Sequence, residues 1–381
     1  MASGTRGDVQ PYIALGQGLK TAGYSVRVLT SDDFENLVTD AGLEFTSAGA
    51  SIEEQLQSEA WRKVMESGNF LAILRRMTAA TKERAHDLAL KLPPLFEETD
   101  LIVAGMSGMG GVFSIAQKLK LPVIQAYVFP ITPTSAFPGP LTPTLSFGKV
   151  LNRLSFLPVR QMLWQSTRIA DVTTRKELGM PPASFFGPYR ALQRQHIPIL
   201  YGYSKHVLPR PDDWDKNTHV TGYWFLEPPA DWTPPADLVE FLQAGSPPVY
   251  IGFGSMGNRK PEDTTRLMLE ALALSGQRGV LASGWGGMSQ ATLPDTVYML
   301  KAVPHSWLFP QMAAVVHHGG AGTTAAGLQA GVPSIIVPFF GDQPFWGQRV
   351  AALGVGTAPI PRKNLTAEKL AQAITAAVGD A

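Results

Sequence analysis

Residues 303–347 read VPHSWLFPQMAAVVHHGGAGTTAAGLQAGVPSIIVPFFGDQPFWG, and the order of residue types in this stretch decides the fold. The apolar run 313–316 leads into His317 and His318, then a glycine-rich turn, then a helix-forming segment opening at Thr323 and Thr324. A second apolar run, 333–338, follows, so the stretch reads as strand, turn, helix and strand. Gly319, Gly320 and Gly322 carry no Cβ and let backbone come close to a ligand, while free N–H groups at a helix start attract phosphate. Thr323 and Thr324 add hydroxyl donors there, and His318 is placed to donate to a diphosphate oxygen. The second strand ends in Phe339-Phe340-Gly341-Asp342-Gln343. A carboxylate beside a carboxamide suits vicinal sugar hydroxyls, accepting from one and donating to the other.

The same alternation extends outward along the chain. Apolar runs at 25–30, 101–104, 122–127, 248–253 and 279–282 predict further strands, and helical patterns at 12–23, 112–119, 264–275 and 323–330 lie between them. Alternating units of this kind predict an α/β fold with parallel sheets covered by helices on both faces. The chain has 381 residues. A single core stops growing at roughly 250–300, so two domains are expected. The proline-rich stretch 226–236, LEPPADWTPPA, reads as a linker dividing a domain over 1–225 from one over 237–381. Two Rossmann-like domains with sheets facing across a cleft are therefore expected, with ligands beyond the carboxyl ends of the strands. Residues 129–148, FPITPTSAFPGPLTPTLSFG, hold five prolines and little periodicity. Their aromatic and apolar content, at Phe129, Phe137, Leu141, Leu145 and Phe147, predicts a wall or lid over an apolar ligand.

Composition removes several function classes. With 32 basic and 31 acidic residues and no long block of one sign, the chain offers no electrostatic footprint for nucleic acid or an anionic membrane. It has no cysteine, which excludes thiolate nucleophiles, disulfides and zinc–cysteine centres. No apolar run reaches the roughly 18 residues that span a bilayer, and the first residues lack the apolar core of a signal peptide. A cytoplasmic location is the default expectation. Oligomeric state is not legible.

Residues 320–325, Gly-Ala-Gly-Thr-Thr-Ala, also match the GxGxxA of a dinucleotide site, and Asp342 follows about 20 residues on, where such a site places its ribose acid. A nicotinamide- or flavin-dependent oxidoreductase is thus an alternative. Against it, the two histidines ahead of the glycines have no part in that fingerprint, and the acid is joined to Gln343 and Pro344.

The run HHGGAGTTAAGLQAGVPSIIVPFFGDQPFWG resembles the donor signature of UDP-dependent glycosyltransferases, close to the sterol and antibiotic-aglycone branch. The resemblance covers nearly the whole chain, from SGTRGDVQPYIALGQGL through FGSMG to the donor segment. It implies the GT-B fold, a UDP-sugar held mainly by the second domain, inversion at the anomeric carbon, and no need for a metal or a cofactor beyond the co-substrate. By the same resemblance His318 contacts the donor diphosphate, Thr323 the α-phosphate, and Asp342 and Gln343 the sugar hydroxyls, while Ser255 belongs to a loop closing over the phosphates. The chain departs from the plant-type signature at two positions. Ala302 stands where that signature has its uracil-stacking Trp, and Ala326 where it has a ribose-binding Glu. Trp285 is taken as the substitute for uracil stacking. Compared with the family, the chain looks short of a strand before SGTRGDVQP and of helices after Ala381.

Asp8 lies in the glycine-rich turn GTRGDVQP, ahead of the predicted helix 12–23. It reads either as a helix cap or as a base that deprotonates an acceptor hydroxyl at the mouth of the cleft. Members of the sterol and antibiotic branch carry Asp at this place, which favours the base. Asp213-Trp214-Asp215 resembles a metal motif of another glycosyltransferase fold but reads as a solvated loop, and no histidine has metal-ligand spacing. Met65, Phe70, Met77, Met106, Met109, Phe113, Phe156 and Trp164 are candidates to line an acceptor pocket. The expected function is transfer of a hexose, glucose by resemblance, from a UDP-sugar to a hydroxyl of an apolar aglycone such as a sterol, triterpenoid, flavonoid or macrolide. A nucleotide-sugar binding protein without turnover is a further alternative.

Overall fold

The computed structural model describes residues 1–49, 51, 54, 58, 61, 64, 70–142, 148–253, 261–282 and 293–379. They fall into two compact units, one spanning Met1–Ile52 and Phe70–Leu226, the other Glu53–Asn69 and Glu227–Ala381. Each is an α/β unit, and every strand pairing among the described residues is parallel.

In the first unit the described elements run α1 (Arg6–Thr21), β1 (Arg27–Thr30), α2 (Glu35–Asp40), β2 (Glu44–Ser47), α3 (Phe70–Lys91), β3 (Ile102–Ala104), α4 (Val112–Leu119), β4 (Val123–Tyr127), α5 (Lys149–Glu177), α6 (Tyr189–Arg194), β5 (Ile199–Tyr201) and β6 (Thr218–Val220). β1 pairs with β2, and β3, β4, β5 and β6 form a sheet in that order. The Met1 nitrogen donates to Val103 O at 2.7 Å and Ala2 N to Leu29 O at 3.0 Å, so the first two residues lie between β1 and β3. The chain then turns at Gly4 into α1, beyond the carboxyl ends of those strands.

Helix α1 begins at Arg6, six residues before the predicted start. Pro11 drew the prediction too late. It lies inside the helix, where its missing N–H removes only the bond back to Gly7.

The predicted lid at 129–148 is described over 129–142 and 148, and much of it is tied down rather than free. Ile131 N and Thr132 N donate to the Tyr201 hydroxyl at 3.0 and 2.8 Å, and Gly139 N donates to Ser155 Oγ at 2.8 Å. Phe137 packs against Phe156 and Trp214, with ring centroids 6.3 and 6.4 Å apart, so it serves the interior of this unit. Leu145 and Phe147 lie outside the described residues. Of the candidate acceptor-pocket residues, Met109, Phe113, Phe156 and Trp164 are buried core and Met77 is exposed. Asp213 and Asp215 are engaged locally. Asp213 accepts from Thr134 Oγ1 (2.6 Å) and Ser135 N (2.8 Å), and Asp215 accepts from Asn217 N and Thr218 Oγ1 (both 3.0 Å). Trp214 between them is not solvated: it is buried and stacks on Tyr201.

The second unit runs α7 (Ala236–Gln243), β7 (Val249–Gly252), α8 (Pro261–Ser275), β8 (Gly279–Ala282), β9 (Val297–Leu300), α9 (His305–Leu308), β10 (Ala314–His317), α10 (Ala321–Ala330), β11 (Ser334–Ile336), α11 (Gln343–Ala352) and α12 (Ala367–Gly379). Its sheet order is β11-β10-β7-β8-β9. β10 and β11 are buried at every residue, which is why they read as continuous apolar runs. Tyr250, Val280, Leu300, Leu308, Phe309 and Val315 form a cluster with at most 4% of their surfaces exposed. Burial of a Leu or Phe on that scale contributes about 1.5–3 kcal/mol per side chain.

Candidate active site

The sheet of the second unit is built outward from β7 in two directions, to β8 and β9 on one side and to β10 and β11 on the other. At such a reversal the connections after the two central strands diverge and leave a crevice at their carboxyl ends. The residues at that point are Gly252 of β7 and His317 of β10, partners in register. His317, His318 and the glycine turn therefore sit at the place where an open parallel sheet binds its ligand.

His317 is fully buried, and its Nδ1 accepts the Gly319 N–H at 3.1 Å. The acceptor role of Nδ1 puts the ring proton on Nε2, which is buried and has no hydrogen-bond partner among the described residues. Burial, then the neighbouring His318 and His305, push the His317 pKa well below its usual value. Burial lowers His318 to about 4, so it is a neutral donor near pH 7. Its Nδ1 is likewise buried without a partner.

Gly319 has φ +88°, and a Cβ there would lie 2.6 Å from Ile336 Cγ2 and 3.1 Å from Gln343 O. No other residue fits that position. The close approach also brings the His318 turn against the Asp342–Gln343 segment. Gly320 caps α10 with an extended backbone, and Thr324 N makes an early helical bond to Gly320 O at 2.9 Å. The N–H groups of the first turn point out of the helix end, where anions are favoured. Gly322 is exposed, with no atom within 4 Å of an ideal Cβ. Thr323 is part-exposed in the same turn, while Thr324 is buried with its hydroxyl unpartnered. Among the described residues this one segment thus holds three buried polar groups without partners, on His317, His318 and Thr324. Groups of that kind are costly unless something else satisfies them.

Asp342 and Gln343 have local partners as well. Asp342 is the N-cap residue of α11, is part-exposed, and accepts the Trp346 indole N–H on Oδ2 at 2.8 Å. Gln343 is buried, and its carbonyl oxygen accepts from Phe339 N at 2.7 Å and Phe340 N at 3.1 Å. The Gln343 carbonyl therefore shapes the turn after β11. Ser255 and Trp285 lie outside the described residues.

In the first unit, Asp8 is the third residue of α1. Thr5 precedes the helix, and both Thr5 N (2.8 Å) and Thr5 Oγ1 (3.0 Å) donate to Asp8 Oδ2. That is a capping box between Thr5 and Asp8, so Asp8 stabilises the helix start from inside it rather than as the N-cap itself. Gly4, at φ +131°, makes room: a Cβ would stand 2.4 Å from Asp8 Oδ2. One turn on, Tyr12 donates to Ala126 O at 2.6 Å, at the end of β4. Crowding by protein raises the Asp8 pKa above the ordinary value, opposed by the two Thr5 hydrogen bonds. The side chain itself keeps an exposed surface. The result is a carboxylate fixed at the carboxyl-end rim of its sheet and more basic than a free Asp. Among the described residues no group of three or more His, Asp or Glu side chains is placed to hold a metal ion, and no helix is long and apolar enough to cross a membrane.

Sequence reasoning singled out His318 but not His317, although the doubled histidine at a strand end was the signal. The buried ring that holds Gly319 is visible only once β10 is seen between two neighbours.

Residues 1–138 match the family described as Glycosyltransferase family 28 N-terminal domain, and residues 284–381 match Erythromycin biosynthesis protein CIII-like, C-terminal domain. A sterol 3-beta-glucosyltransferase of Arabidopsis thaliana is 39% identical over 389 residues, covering 99% of this chain and 60% of its own length. The chain thus spans about 60% of that relative. Among solved structures, the glycotransferase of kitacinnamycin superposes with a TM-score of 0.69 at 20% identity, covering 99% of this chain and 89% of its own. A Streptomyces sp. SF2575 glycosyltransferase complexed with thymidine diphosphate has a TM-score of 0.59 at 20% identity, covering 100% and 91%. A family 28 domain over the first unit, an erythromycin-type domain over much of the second and a sterol glucosyltransferase relative along nearly the whole chain agree with the two parallel-sheet units, and the chain belongs to the glycosyltransferases of the GT-B fold.

Proposed function

We propose that this protein transfers a glucosyl group from UDP-glucose to a hydroxyl of an apolar, sterol-like acceptor, in one inverting displacement with no resident cofactor or metal. The observation that carries the reading is the crevice of the second unit. A glycine turn, a helix start and the unpartnered groups of His318 and Thr324 converge there at the carboxyl end of β10. A nucleoside diphosphate supplies the acceptors those donors lack. The thymidine diphosphate complex of a structural relative and the sterol glucosyltransferase relative support the choice of donor class and acceptor class.

In this reading the acceptor oxygen forms its bond to the anomeric carbon as the bond to the diphosphate oxygen breaks. The hydroxyl proton passes to the Asp8 carboxylate, whose raised pKa suits it to the task better than a free Asp. The departing UDP carries the negative charge. The α10 N–H groups, the Thr323 hydroxyl and the His318 N–H stabilise that charge through dipoles already in place. Asp342 holds sugar hydroxyls, and Gln343 reaches them with its amide nitrogen while its oxygen holds the turn. Ser255 and Trp285 are assigned to the phosphates and the uracil.

The dinucleotide alternative loses ground on topology. A dinucleotide fingerprint follows the first strand of its sheet, whereas GxGxxA here follows β10, the fourth strand of its unit. A thermal-melting comparison tests the choice. UDP at 100 times its Kd adds about 2.7 kcal/mol of stability and raises the melting temperature. Stabilisation by NADH or NADPH with none by UDP overturns the reading.

A further inference from the structure

The first unit contains a cavity of about 490 Å³ that plays no part in the chemistry above. It lies between the N-terminal half of α5, the segment 131–135 and the strands β4 and β5. Ile197, Ile199, Asp215 and Thr218 line it and mark the amino ends of β5 and β6. Gly4–Asp8 and Gly105 lie at the opposite, carboxyl-end rim, so the cavity is separate from the proposed base. Its volume is in the range of small-molecule sites, roughly 300–1,000 Å³.

One end of the lining is a cation without an anion. Arg160 is largely buried and donates its Nε to Ile131 O at 2.9 Å, and its guanidinium stacks 4.8 Å from the Tyr189 ring centroid. No other hydrogen bond or ion pair of its terminal amines exists among the described residues. The carboxylates in the lining do not meet it. Asp213 is taken by Thr134, Ser135 and, at 3.8 Å, Arg153, and Asp215 by Asn217 and Thr218. The rest of the wall mixes polar side chains, Gln125, Thr132, Gln193 and His196 among them, with an aliphatic part formed by Ile131, Ile197 and Ile199 inside and Val150, Leu154 and Leu157 at the mouth. Those three are 72, 49 and 58% exposed, far more than aliphatic residues of a helix need be. Lys149 and Arg153 flank them.

We propose that this cavity binds a single-chain amphiphile with a carboxylate head, the carboxylate forked on the Arg160 guanidinium and the alkyl chain running along Leu154 and Leu157 to the mouth. A planar guanidinium matches a carboxylate with two parallel hydrogen bonds, and the aliphatic wall takes a chain that has no polar group to satisfy. The site is independent of the glycosyltransferase reading, since no residue of the proposed reaction lines it.

The test measures binding of dodecanoate, dodecanol and dodecyltrimethylammonium to the full chain by calorimetry, below their micelle concentrations. Dodecanoate is expected to bind roughly tenfold or more tightly than dodecanol, and the cation least of all. Arg160→Gln should reduce the dodecanoate preference to near unity. Leu157→Glu, at an exposed position that leaves the fold intact, should weaken dodecanoate by about tenfold while UDP still raises the melting temperature as in the parent. Equal affinity for the three probes, no binding of dodecanoate, or an unchanged affinity in Leu157→Glu overturns the proposal. If Arg160→Gln fails to fold, the comparison of head groups and the Leu157→Glu arm decide the matter by themselves.

Discussion

Two carboxylates define what single residues do here. Asp8→Asn keeps an oxygen to accept from Thr5 N and so should fold, but it cannot take a proton. Transfer to an alcohol is expected to fall by about 10²–10⁴ while UDP affinity stays at the parental value. Initial rates and a UDP titration on the same preparation check this, and an unchanged rate reduces Asp8 to a helix-start residue. Because the Asp8 pKa is raised, the acid limb of kcat/KM should lie above the ordinary carboxylate value, with activity lost as pH falls through it. Asp342→Asn retains an acceptor for the Trp346 indole, which separates the sugar from the scaffold. It should weaken use of UDP-glucose by about 1.5–3 kcal/mol with little change for UDP. Equal losses for both ligands would place Asp342 on the nucleotide. The residue types at these positions were legible in the sequence. Their local bonds were not, because Gln343 reaching back to Phe339 and Phe340 depends on a turn geometry that the letters do not carry.

At the scale of elements, the glycine turn and α10 give the sharpest contrast. Among the described residues nothing lies within 4 Å of a Cβ at Gly322, so Gly322→Ala should raise stability by roughly 0.5–1 kcal/mol through helix propensity. The same methyl group stands in the helix end where a diphosphate is proposed to sit, and UDP affinity is expected to fall. Melting and UDP titration of one variant therefore should move in opposite directions. An increase in stability with unchanged UDP affinity removes Gly322 from the ligand site. Buried strands such as β10 and β11 were readable because both faces are covered and the runs are mostly apolar. β2 (EFTS), β5 and β6 escaped notice because they are three or four residues long and mostly part-exposed or polar. Pairing with a neighbour makes them strands, not their own pattern. α5, with 29 residues and Pro158 inside it, was hidden for a related reason, since its long contact with α3 stabilises a segment whose own apolar stripe is interrupted.

For the whole molecule, the buried histidines link stability to pH. His317 and His318 have folded pKa values below the unfolded value of about 6.5, so the unfolded chain binds more protons as the medium is acidified. Their contribution is fully present above pH 6.5 and is lost as pH falls towards the folded values. For His317 the slope approaches about 1.4 kcal/mol per pH unit. His317→Asn can still accept from Gly319 N through its side-chain oxygen but does not titrate. It should flatten the fall in melting temperature between pH 7 and pH 5, and an unaltered slope would assign the acid sensitivity to other groups. The measurement that bears most directly on the account is mass spectrometry of the chain incubated with isotopically labelled UDP-glucose and a 3-hydroxysterol in detergent, with the anomeric configuration read by NMR. A sterol β-glucoside carrying the label, lost in Asp8→Asn, is the expected result. Contradiction would be a protein that binds UDP-glucose yet yields no labelled glycoside from sterols or other apolar alcohols, or a product whose anomeric configuration is retained.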